Sequence, residues 1–111
     1  MEKKYKLTEE SIIYFGRTLY RIEALKDFDN VKKGDKGGYV QSETNLSQED
    51  NCWVYGDAKV YDKAQISGNT KIYGNAQINS GAKAYKDSEI SGREYNKRVV
   101  DYVKLMLQDN R

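Results

Sequence analysis

Residues 52–85, CWVYGDAKVYDKAQISGNTKIYGNAQINSGAKAY, are written in sixes. Val54, Val60, Ile66, Ile72, Ile78 and Ala84 follow at that step, and Ile90 continues it without an insertion. Two residues before each anchor stands a small one: Cys52, Ala58, Ala64, Thr70, Ala76, Ala82 and Ser88. Both columns are explained by a short strand whose apolar residue points inward, joined to a turn where only a small side chain fits. Gly56-Asp57, Gly68-Asn69 and Gly74-Asn75 mark such turns, because these residue types tolerate positive φ. A fixed period of one strand plus one turn predicts a solenoid. A hairpin meander would not hold a strict six with so little apolar content.

On these residues the chain resembles the hexapeptide-repeat proteins, whose pattern is an aliphatic residue, often a following glycine, acid or asparagine, and a small residue four positions on. That resemblance implies a mainly β fold, a left-handed parallel β-helix with three flat faces and eighteen residues to a coil. The hand comes from the resemblance alone, since the general rule for parallel crossovers favours the right hand. Val54, Ile72 and Ile90 would then share one face, Val60 and Ile78 a second, and Ile66 and Ala84 the third. Residues 52–92 would make little more than two coils, a stack about 10 Å tall at the usual strand spacing. Its open ends call for caps or partners.

The flanks supply candidates. Upstream, Val40 and Leu46 fall in the small-residue column while Ser42 and Gln48 occupy the anchor slots, so residues 39–51 read as a degenerate first coil. Before it, ESIIYFGRTLYRIEAL predicts a hairpin about Phe15-Gly16-Arg17, with Ile12, Tyr14, Leu19, Tyr20, Ile22 and Leu25 as packing residues, set over the N-terminal end of the stack. After Gly92, Tyr95, Val99, Tyr102, Val103, Met106 and Leu107 recur at helical spacing, with Ser91 and Glu94 placed as a capping box. This amphipathic helix either covers the last coil or bundles with copies of itself into a dimer or trimer. The expected plan is one domain, with a hairpin cap and turn over 1–38, coils over 39–92 and a helix over 93–111.

Composition narrows the chemistry. The 111 residues carry 19 basic and 17 acidic groups, a net charge of +2 of mixed sign that gives no broad field for nucleic acid or membrane. One cysteine excludes an internal disulfide, and no apolar run suits a membrane span or signal peptide, so a soluble cytoplasmic protein is expected. There is no histidine. The hexapeptide acyltransferases typically use one to deprotonate the acceptor, and the related γ carbonic anhydrases bind zinc through several. On that ground no enzymatic activity, metal or cofactor is expected here, although Asp57 or Asp62 offers a carboxylate base in principle.

Two further features bear on binding. In VKKGDKGGY, residues 31–39, Lys32, Lys33 and Lys36 stand around Gly34, Gly37 and Gly38; the segment reads as a sharp turn or, more weakly, a phosphate cradle that departs from the P-loop spacing. Of ten tyrosines, Tyr55, Tyr61, Tyr73 and Tyr85 each follow an anchor and should face outward. Tyr55 should stack over Tyr73 and Trp53 over Lys71, as an exposed aromatic strip serving as a stabilising ladder or an interface.

Over residues 5–92 the chain also resembles small proteins of phages and prophages that carry VYGDA or VYGNA repeats after a segment like VKKGDKGGYV and NLS. The resemblance implies a phage setting. The expectation is a non-catalytic binding protein that occupies a host protein, such as a CRISPR effector or another defence protein, through Trp53, Tyr55, Tyr73 and nearby charges. Three alternatives stay open: an oligomer sequestering a nucleotide signal near Lys32, Lys33 and Lys36, a diverged acyltransferase, and a structural phage component.

Overall fold

The computed structural model describes residues 2–85 and 89–92, and the helix expected over 93–111, with its oligomerisation residues, lies outside them. The described chain is mainly β. Strands β1 (Tyr5–Tyr14) and β2 (Arg17–Ala24) form the expected hairpin, pairing antiparallel from Tyr5–Ala24 to Tyr14–Arg17. Phe15 and Gly16 make the turn with φ of 51° and 79°. These are the two left-handed residues of the hairpin turn whose twist matches that of its strands.

From β3 (Lys36–Val40) onward the strands are short and pair in parallel: β4 (Trp53–Val54), β5 (Lys59–Val60), β6 (Gln65–Ile66), β7 (Lys71–Gly74), β8 (Gln77–Ile78), β9 (Lys83–Ala84) and β10 (Glu89–Gly92). The registers join residues eighteen apart, Val54 with Ile72 and Ile72 with Ile90, Val60 with Ile78, Ile66 with Ala84. The anchors and the alanine positions between them are buried. Burying each branched side chain contributes about 1.5–3 kcal/mol relative to leaving it exposed. Left-handed backbone recurs at the same interval in the turns, at Asp50 and Gly68, Gly56 and Gly74, and Asp62 and Ser80.

The first round of chain departs from the sequence reading. Val40 pairs with Val60 and Leu46 bridges Ile66, each twenty residues away, so both are buried anchors and not occupants of the small column. Two extra residues lie between Leu46 and Val54. Ser42, expected in an anchor slot, instead caps the 3-10 turn Glu43–Asn45. Gln48, expected in the next slot, presents its amide as a strand edge: its Oε1 accepts from the backbone of Lys4 and Tyr5, and its Nε2 donates to the Tyr5 carbonyl. Gly38 fills the small slot before Val40, against the carbonyl of Ala58 and the side chain of Val54.

The hairpin continues one ladder beyond its first rung, β3, giving the five-strand order β1-β2-β3-β5-β8. Its inner residues Ile22 and Ala24 join the main core, while Leu19 packs with Tyr39 and Tyr61 in a second cluster that includes Ile12 and Tyr14. The buried Lys4 ammonium pins the N-terminal end of β1 to the longer loop, donating to the carbonyls of Glu49, Asp50 and Cys52. Burial draws its pKa below the usual lysine range. No described helix is long and apolar enough to cross a membrane.

Candidate binding surface

The strip expected on the outside of β4 and β7 exists, but part of it is covered. Residues 25–35 leave β2 and fold back through a short bridge between Phe28 and Val31. Phe28 sets its ring edge against Trp53, with centroids 5.2 Å apart, and Tyr5 meets Trp53 from another side at 6.2 Å. Trp53 is consequently buried, correcting the expectation that it is a contact residue. An indole of 1% exposure is core.

Tyr55 and Tyr73 do stack, with centroids 4.8 Å apart and planes 17° from parallel. Both are half-buried. The Tyr55 hydroxyl donates to Asn30 Oδ1 at 2.9 Å, and Lys71, which pairs with Trp53 in register, forms a 2.9 Å ion pair with Asp29. That pair lowers the Asp29 pKa and raises that of Lys71, while burial raises the Tyr55 phenol. The result is a flat aromatic platform held at its rim by the turn residues Asp29 and Asn30. Sequence reasoning missed these two; their signal was an Asp-Asn turn pair set between the apolar Phe28 and Val31.

Tyr61 is the second correction. It faces away from the ladder interior as expected, but the hairpin end closes over it. Tyr14 meets its ring edge at 5.7 Å, the Arg17 guanidinium lies 5.3 Å from its centroid, and Asn79 donates to its hydroxyl. Tyr85 is exposed. The lysine segment is a satisfied turn: the backbone N–H groups of Lys32, Lys33, Gly34 and Asp35 donate to Asp35 Oδ2, Asp27 Oδ1, Ala24 O and Lys32 O respectively. Those four donors are already engaged by protein acceptors, and the Lys36 ammonium lies 4.0 Å from Glu10. Among the described residues no group of three or more histidine, cysteine, aspartate or glutamate side chains is placed to hold a metal.

At the hairpin turn a different surface appears. Ile13 and Phe15 are 72% and 71% exposed. Arg17 binds the Phe15 carbonyl and both carboxylate oxygens of Asp62. Asp62 also lines a cleft of about 450 Å³ with Gln41, Lys63 and Ser80.

The mainly β chain with parallel ladders at a period of eighteen is compatible with a hexapeptide-repeat protein. No protein-family model matches it. It is 39% identical over 61 residues to the uncharacterized acetyltransferase YdcK of Escherichia coli strain K12, a match covering 48% of this chain and 19% of that protein. The chain thus spans about a fifth of the length of the relative. The acetyltransferase name of this relative counts against the expectation of no enzymatic activity, and a missing histidine does not by itself exclude acid–base chemistry, because other side chains also serve as bases.

Proposed function

We propose that the three ladders are the faces of a left-handed parallel β-helix of hexapeptide repeats, and that the chain is a phage-type recognition module that binds a protein of a bacterial host's defence apparatus. The observation that carries the binding reading is the Tyr55–Tyr73 stack. Its two rings are already parallel, and the rim contacts to Asn30 and Asp29 hold the platform before any partner arrives. Ordering long side chains is among the larger costs of association, so a pre-ordered pair of tyrosines makes an economical contact surface. Capture of the tagged protein's partners from host lysate, compared with Tyr73→Ala, tests this. A defence protein retained by the wild type and lost from a normally folded variant supports the reading. Equal retention by both removes the platform as the site.

A second reading, acyl transfer, is favoured by the similarity to a protein named an acetyltransferase. Asp62 and Ser80 face a cleft on the chain and supply its acid–base and hydroxyl groups. Incubation with acetyl-coenzyme A decides it: release of free coenzyme A with an acetylated acceptor establishes transfer, and failure of the coenzyme to bind removes this reading.

A further inference from the structure

Phe15 is in an unusual place. The first left-handed position of a two-residue hairpin turn favours asparagine or aspartate, and a bulky aromatic there is an outlier. The strain at φ 51° is accompanied by a ring that is 71% exposed, beside Ile13 at 72%. The tip is also held firmly. Tyr14 packs edge-on against Phe15 at 4.6 Å, and Arg17 ties the Phe15 carbonyl at 2.6 Å to the Asp62 carboxylate. Strained and pinned residues of this kind accompany function more often than bare architecture.

The cleft next to the tip supplies the complement. Asp62 belongs to both features, since it receives Arg17 and lines the cleft with Gln41, Lys63 and Ser80. Knob and hole are therefore neighbours on one surface, the arrangement that a two-fold axis makes self-complementary. Lys63 pairs with no carboxylate among the described residues, so its stem and ammonium offer an aromatic ring both apolar contact and cation–π attraction. An anionic lipid surface is a poorer fit: Arg17 is engaged by Asp62, and Glu9 and Glu10 lie exposed on the same strand.

We propose that two copies of this chain associate through the hairpin tip, Phe15 of each copy seating in the Gln41–Asp62–Lys63–Ser80 cleft of the other. The contact rests on one aromatic side chain and one cleft in each direction, so the dimer should be weak and concentration-dependent. It does not involve the tyrosine platform.

Sedimentation velocity over a concentration series tests it, using the full chain, Phe15→Asn, Lys63→Glu and the double variant. The wild type should sediment faster as concentration rises. Phe15→Asn should remain monomeric while melting at a higher temperature, because asparagine suits the turn. Lys63→Glu should weaken association at least tenfold, and the double variant should lose no more than Phe15→Asn alone. Phe15→Gly provides a second strain-free variant should the first fold poorly. A wild type that stays monomeric throughout overturns the proposal, as does a dimer that survives Phe15→Asn, which would place the contact elsewhere in the chain. Phe15-dependent binding to phosphatidylglycerol vesicles by a chain that remains monomeric would overturn it in favour of a lipid occupant. Tyr73→Ala should leave the dimer unchanged, so failure of the platform reading and failure of this one are separable.

Discussion

Gly37 and Gly38 stand where a methyl group has no room. A Cβ on Gly37 would lie 2.5 Å from the Val54 carbonyl oxygen and 2.8 Å from Ile22 Cγ1. Gly37→Ala should cost about 1–3 kcal/mol of stability, measured by urea unfolding, as overpacking does. The sequence showed a glycine pair beside lysines and suggested a turn or a cradle; what lies across from the pair comes from residues distant in the chain. Thr70 is the opposite case, a residue whose place was legible and whose cost was not. It sits in the small column as read, yet its buried hydroxyl has no hydrogen-bond partner among the described residues. Thr70→Val should raise stability by about 1 kcal/mol by removing that unmet group. Tyr5 sets a pH limit. Its phenol is buried, its hydroxyl donates to the carbonyls of Leu46 and Glu43, and burial raises its pKa well above the ordinary value. An unfolded phenol ionises near pH 10, so the stability linked to keeping Tyr5 neutral is complete below about pH 10 and lost as pH rises further. Tyr5→Phe should flatten the alkaline fall in melting temperature while lowering stability at neutral pH.

The segment from Phe28 to Asn30 decides what the outer surface offers. It buries Trp53 under Phe28, engages Lys71 with Asp29 and anchors Tyr55 with Asn30. Trp53→Ala should therefore behave as a core truncation, costing about 3–5 kcal/mol in chemical denaturation. A binding residue at an exposed strip would lose affinity with little change in stability. Period alone correctly placed Trp53 and Tyr61 on the outward side of their strands, but outward does not mean exposed. Whether an outward residue meets solvent depends on which flank folds over it, and that is set by contacts spanning many residues of sequence. The hairpin illustrates the same division. Its turn was legible from the two β-rich runs that flank Phe15-Gly16-Arg17, whereas the closing of its end over Tyr61 through Tyr14 and Arg17 was not.

At the scale of the described molecule, each ladder advances one rung per eighteen residues from Val54 onward. The columns of anchors and small residues were fully legible between 52 and 84 because the period is strict there. The first round was misread because Val40 and Leu46 keep steps of six among themselves, and the two-residue excess before Val54 then shifts them into the wrong column. An inserted second copy of residues 59–76 should add one rung to each ladder, raising the melting temperature and the urea m-value together. Inserting only six residues would bring each downstream strand onto a different ladder and should lower both. Circular dichroism with urea titration distinguishes these outcomes.

The twenty-residue first round sets a limit on which insertions the ladders can absorb. Val40 and Leu46 meet partners twenty residues on, whereas the later ladders join residues eighteen apart. A duplication of eighteen residues would therefore keep the register of the later ladders, whereas one of twenty would not.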